Sequence, residues 1–253
     1  MTFSCNKHKE RREKELEILH GIKIKDNAEF IWGWATEAGK LRADRRANLL
    51  TNACSLINQG RVLEIGCGTG EFSCRISGRG LNKIIGLDIS LDLIRKAKDK
   101  TRDSPVVFII ADVESLPFKN NIFDAVIGVS ILHHLKVDIA IREIRRILNK
   151  GGILVFSEPN MLNPQVMVLK NVSFIKDRAG DVKSESAFFR WSISCLLRKS
   201  GFMNISVTPF DFLHPATPKK LINFIKNLGE LLEKMPLIKE FSGSLLIYGR
   251  KSE

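Results

Sequence analysis

Within Val62-Leu63-Glu64-Ile65-Gly66-Cys67-Gly68-Thr69-Gly70, an apolar run of strand character meets glycines at alternate positions, with Glu64 two residues ahead of the first. Glycine accepts a left-handed backbone and has no Cβ, so such a turn lets a ligand approach the main chain closely. The chemistry this supports is the holding of a nucleotide-like cofactor, with Gly66, Cys67, Gly68 and Gly70 as its cradle. A dinucleotide fingerprint would place a further glycine three positions after its second, so that a helix N-terminus can approach pyrophosphate. That position is Glu71, and a carboxylate repels a diphosphate.

Other polar residues stand where apolar runs end. Asp88 closes Ile84-Ile85-Gly86-Leu87, 18 residues past Gly70, where an acid can accept ribose hydroxyls. Asp112-Val113-Glu114 follows the run 106–111, Ser130 and the His133-His134 pair follow Phe123 to Val129, and Ser157, Glu158 and Asn160 follow 151–156. Over about residues 60–160, the order and spacing of these segments resemble the class I S-adenosylmethionine (SAM)-dependent methyltransferases. The resemblance is to the small-molecule branch that includes quinone-biosynthesis C-methyltransferases and many O-methyltransferases. It implies SAM as cofactor, a cation without phosphate that suits an acidic loop. It further implies contacts from Glu64, Gly66, Cys67, Gly68 and Gly70, ribose at Asp88 and Ile89, adenine at Asp112 and Val113, and Ser130 beside the cofactor.

Methyl transfer from a sulfonium is an in-line displacement, so alignment is the main catalytic task and a base is needed only for some nucleophiles. If the first three strands hold methionine, ribose and adenine, the methyl points toward the ends of the fourth and fifth. His133, or else His134, is then a candidate base, since imidazole titrates near neutral pH. The alternative is that these histidines cap a helix or pack beside the cofactor. Glu158 has the same two readings, base or loop-ordering group. The segment Gly128-Val129-Ser130-Ile131 lacks both the Asn/Asp-Pro-Pro-Tyr/Phe pattern of nucleobase amino methylation and a Pro-Cys nucleophile. A small-molecule acceptor, apolar or lipid-linked and methylated at O or C, is therefore the expectation. The alternatives are a catalytically silent binding protein of the same fold and an RNA methyltransferase.

The elements that must position these groups alternate between strand and helix, which implies parallel strands with right-handed crossovers. The expected fold is α/β and doubly wound: a mostly parallel seven-stranded sheet, helices on both faces, and an antiparallel last strand between the fifth and sixth, as the family has it. Residues 1–59 are expected as a helical extension or lid with helices at 8–20 and 44–58, and 60–253 as the catalytic domain with insertions near 159–186 and 212–240. Ser90 is expected to N-cap a helix, further helices span 137–148 and 186–200, and strands span 202–210 and 244–248. Phe30, Trp32 and Trp34 are read either as part of a lid or as helix packing. Residues 217–235 are read as a helix with one broad apolar stripe. It either covers the sheet or, with Lys219, Lys220, Lys226 and Lys234, meets a membrane surface.

The chain has 253 residues, 44% of them hydrophobic, enough for one full core. Its five cysteines lack the spacing of a disulfide framework or zinc site, so reduced thiols, no metal and a cytoplasmic location are expected. No run approaches a membrane span of ~18 apolar residues. The net charge of +12 is spread along the chain without a basic tail or Arg-rich arm, which argues against nucleic acid as a partner.

Overall fold

The computed structural model describes residues 2–55, 60–79, 81, 83–102, 104–171 and 187–252. Strands Val62–Ile65 (β1), Ile84–Asp88 (β2), Val107–Ile110 (β3), Phe123–Val129 (β4), Leu148–Pro159 (β5), Phe202–Phe210 (β6) and Ser244–Lys251 (β7) form one seven-stranded sheet in the order β3-β2-β1-β4-β5-β7-β6. Pairing is parallel from β3 through β5, and β7 runs antiparallel to both β5 and β6. This is the doubly wound arrangement expected of the sequence, with its last strand inserted where the resemblance placed it.

The helices are Thr2–Ile24 (α1), Ala28–Ile31 (α2), Glu37–Cys54 (α3), Glu71–Ser77 (α4), Leu91–Lys100 (α5), Val137–Ile147 (α6), Pro164–Asn171 (α7), Arg190–Lys199 (α8) and Ile222–Leu232 (α9). On one face of the sheet, Ile141 and Ile144 of α6 and Leu197 of α8 pack on Leu63, Val126 and Phe156. On the other, Leu50 of α3 and Phe72 and Ile76 of α4 pack on Val62, Ile127 and Val155. Cover on both faces explains why the central strands are apolar throughout rather than alternating. Ser90 caps α5 as expected, accepting from the Leu93 amide at 3.4 Å.

Several expectations are corrected. The first helix runs well beyond 8–20 at both ends, and α3 starts at Glu37 rather than 44 because the Thr36 hydroxyl caps it, accepting from Gly39 N at 2.9 Å. The tail of that expected helix, 56–58, lies outside the described residues. The stretch 159–186 is not wholly irregular: Pro159 still belongs to β5 and α7 follows, while 172–186 lie outside the described residues. The stripe expected over 217–235 is split between two faces. Ile222 and Gly229 are buried toward the body of the protein, whereas Leu221, Phe224, Leu228, Leu231 and Met235 are exposed. Gly229 marks the inner face because Phe212 lies 3.1 Å from where its Cβ would be. Among the described residues no helix is long and apolar enough to cross a membrane.

Candidate active site

The glycine loop follows the carboxyl end of β1, the edge at which open parallel sheets bind ligands. Gly66, Gly68 and Gly70 have φ of +63°, +52° and +75°, so each takes the left-handed backbone anticipated for it. The nearest obstacles to a side chain, however, come from the protein itself. A Cβ on Gly66 would lie 2.4 Å from Ile131, and one on Gly68 would lie 2.9 Å from the Trp32 indole. These glycines therefore also let Ile131 and Trp32 approach the loop. Cys67 is buried with Ile94, Ala97 and Phe108 in a small core, and burial raises its thiol pKa well above the usual value.

The acids divide by burial. Glu64 is enclosed between β1 and α4, where the Ser73 hydroxyl donates to its carboxylate. Burial, reinforced by the Asp88 charge and opposed by the Ser73 bond, pushes Glu64 up to about 8. Asp88 accepts from Gly68 N and Ser90 N, both at 2.9 Å, and so ties the end of β2 to the glycine loop. Burial also raises its pKa, although these backbone donors oppose the rise. Ile89 continues beside it, half-buried.

A folded-state pKa above the unfolded value gives a definite sign. The proton that Glu64 keeps in the fold contributes stability fully below about 4.5, and that contribution is lost as pH rises through about 8. The melting temperature of the ligand-free protein is therefore expected to fall across this window, and Glu64→Gln should flatten the fall. An unchanged slope in that variant would move the proton to another group.

Residues 14–34 cover this edge. Lys14 of α1 bonds Asp112 and reaches Glu114 at 3.2 Å, while Glu17 one turn on stands 3.6 Å from His134 Nδ1. Gly21 packs so closely on Ser90 that a Cβ would come within 2.5 Å of its hydroxyl. Glu29 accepts from Thr69 of the loop at 2.8 Å. The aromatic set separates: Phe30 is exposed, Trp32 covers Gly68, and Trp34 is buried edge-on to Phe72 at 5.4 Å. Asp112 also caps the short turn that follows it, accepting from Glu114 N at 2.8 Å, whereas Val113 turns its side chain into the main core.

The acceptor side lies past β4. Ser130 takes a left-handed backbone, φ +53°, and donates its amide to Ser157 O at 2.8 Å, which steers the chain into a single turn over Leu132–His134. Glu158 is buried and accepts from Ile131 N and Leu132 N, each at 2.9 Å, and from His133 Nδ1 at 2.7 Å. These contacts tie the start of the turn and the His133 ring to the end of β5. A neutral His133 that donates from Nδ1 to this carboxylate presents Nε2 as its acceptor nitrogen. His134 lies against His133 with ring centroids 4.2 Å apart. Sequence reasoning missed Lys14 and Glu17 of α1 and Glu29 of α2 altogether, because a single charged residue carries no pattern that says what it faces.

A family model described as a methyltransferase domain matches residues 63–156. The chain is 33% identical over 202 residues to an uncharacterized protein of Methanocaldococcus jannaschii, spanning 69% of this chain and 76% of that one. It is 30% identical over 183 residues to a Vibrio cholerae ubiquinone/menaquinone biosynthesis C-methyltransferase, spanning 68% of each. Among solved structures, a SAM-dependent methyltransferase of Thermotoga maritima superposes with TM-score 0.63 at 22% identity, covering 90% of this chain and 98% of that one.

Proposed function

The chain belongs to the class I SAM-dependent methyltransferases, and from that premise we propose that it methylates a small apolar or lipid-linked acceptor at oxygen or carbon, with His133 as the base. The observation that carries this reading is the buried His133–Glu158 pair, set at the end of β4 beside an edge crowded with Asp88, Asp112 and Glu114. Such an acidic edge fits a ligand bearing a sulfonium and an ammonium. When bound, SAM supplies a methyl group already activated toward displacement.

On this reading Gly66, Gly68 and Gly70 present backbone to the cofactor, Asp88 meets its ribose and Asp112 its adenine amino group. The Lys14 ammonium stands against Asp112 where that amino donor would stand, so the donor set of the pocket already accommodates an N–H group there. Residues 14–34 act as a lid that shifts when the cofactor enters. Glu158 holds the His133 ring through Nδ1, and Nε2 is the atom that would take a proton from a phenol, hydroxyl or activated carbon acid as the methyl is transferred. A fixed imidazole loses less freedom in reaching the transition state than a mobile one.

Removing Lys14 removes a competitor for Asp112. Because both side chains are partly exposed, the pair contributes no more than about 1 kcal/mol. Lys14→Met is therefore expected to tighten SAM binding by up to roughly fivefold in isothermal titration. Weaker binding would show instead that Lys14 is a ligand-holding group.

The acceptor class follows from α9. Its outer face offers Leu221, Phe224, Leu228 and Leu231 to solvent, with exposed Lys219, Lys220, Lys226 and Lys234 around them, the composition of a helix resting on an anionic lipid surface. The deciding experiment is transfer of labelled methyl from SAM to isoprenoid phenols or quinols presented in anionic vesicles, compared with total RNA. Label in the lipid phase, lost in His133→Ala, is the expected result. Label in RNA alone would overturn the proposal.

A further inference from the structure

At the pole of the sheet opposite the candidate active site lies a cleft of about 380 Å³, lined by Asn121, Arg142, Arg145, Arg146, Ser200 and Lys251 among others. Every lining side chain is basic or a neutral polar group. Arg146 is compensated: it pairs with Glu143 at 2.7 Å and donates to the carbonyls of Leu116 and Phe118. The other three cations have no carboxylate partner among the described residues. Among the described residues Arg145 reaches only the Ser252 hydroxyl, at 3.4 Å, and none of them meets its buried Nε, which lies above Gly201. Lys251 donates to Asn121 Oδ1 at 2.7 Å and Leu148 O at 2.6 Å, both neutral acceptors. Burial, then the positive charges of Arg145 and Lys150, pull its ammonium below the usual lysine range.

The end of α6 accounts for part of this cluster, since cations in the last turn of a helix interact favourably with its dipole. It does not account for Lys251, which β7 brings into the same cleft, or for the convergence of like charges around an open volume. Like charges held close in a partly dehydrated place raise the free energy of the fold unless an anion joins them. Guanidinium forks and an ammonium together match the several oxygens of a phosphate group. The volume is that of a small-ligand site rather than of a groove along which a chain could lie.

We infer that this cleft is a binding site for a phosphate-bearing small molecule, held by Arg142, Arg145 and Lys251 and separate from the cofactor site. The seven residues of β4 set the two apart by about 20 Å. The inference is therefore independent of the assignment of the SAM pocket, and either can fail alone.

The test is a titration of the full-length protein with inorganic diphosphate at constant ionic strength, followed by phosphorus NMR line broadening and by melting temperature, with chloride as control. A parallel arm uses a nucleoside diphosphate. Saturable binding is expected, weakened roughly tenfold in Arg145→Gln because a charge-assisted contact is lost, and lost in the Arg142→Gln/Arg145→Gln double variant. SAM affinity should be the same in all of these proteins, which also shows that the variants fold. Tighter binding of the nucleoside diphosphate would assign the ligand to the nucleotides, and equal binding would assign it to the phosphate group alone. No saturable response in the wild-type protein, or an equal response in the double variant, would overturn the site. Binding of single-stranded RNA that diphosphate does not displace, with the same sensitivity to substitution, would overturn it in favour of an extended polyanion.

Discussion

His133→Ala is expected to lower turnover roughly 10²–10⁴-fold while leaving SAM affinity near the wild-type value. The separation of the two effects follows from position: His133 follows β4, whereas the glycine loop, Asp88 and Asp112 follow β1, β2 and β3. If the ring is the base, the low-pH limb of the rate profile should disappear with it. Glu158→Gln gives a companion test, because the amide can still meet the Leu132 turn but no longer stabilises a protonated imidazole. That variant should keep its SAM affinity and move the limb rather than abolish it. Parallel loss of SAM affinity and melting temperature in His133→Ala would show that the ring only packs. Wild-type turnover at saturating acceptor across pH would leave alignment as the sole catalytic device.

The largest stability effect is expected at Asp211, a position outside the catalytic machinery. Its carboxylate receives Arg46 Nη1 at 2.6 Å and Arg42 Nε at 2.8 Å, and both Arg46 and Asp211 are buried. Burial alone would push the Asp211 carboxyl up, but the charges of Arg46 and Arg42 hold it below the usual carboxylate range. The pair fastens α3, through Arg42 and Arg46, to the chain leaving β6, and both guanidinium groups lie over Trp34, at 5.5 and 5.4 Å from its ring centre. Asp211→Asn keeps a side chain that tolerates the φ of +74° found there, yet leaves Arg46 buried without its counter-charge. A loss of about 3–5 kcal/mol in denaturant unfolding is expected. A loss below about 1 kcal/mol would mean that water or a shifted Arg46 replaces the pair.

How far the sequence could be read depends on the kind of signal each feature leaves. The alternation of strands and helices follows from ordered, locally encoded segments, each an apolar run ended by glycine or an acid, whereas the place of the antiparallel last strand comes from the family resemblance. Such runs keep their meaning wherever neighbours lie. Helix α3 starts earlier than its apolar spacing suggests because Thr36, its cap, is followed by Glu37 to Arg46, a charged stretch in which the buried Ala38, Gly39 and Ala43 leave little apolar signal. The split of α9 was hidden for the opposite reason: apolar residues on both faces look like one wide stripe until Gly229 meets Phe212.

At the site, the residue types were legible but their partners were not. The position of Asp88 suggests a ribose acceptor, yet that it also fastens the Gly68 amide depends on how β2 meets the loop. Glu158 lies 25 residues from His133, and nothing local relates them. The cap formed by Lys14, Glu17 and Trp32 comes from residues far ahead of the domain in sequence. Only the fold brings it onto Asp112, His134 and Gly68.

The most direct test of the account is isothermal titration of the folded protein with SAM and S-adenosylhomocysteine, repeated with Asp88→Ala. Saturable one-site binding of both ligands is predicted, each weakened by roughly 1–3 kcal/mol in the variant, because a charge-assisted contact to the ribose is lost. Absence of binding to the wild-type protein, or equal affinity in Asp88→Ala, would contradict the placement of the cofactor at the carboxyl ends of β1 and β2.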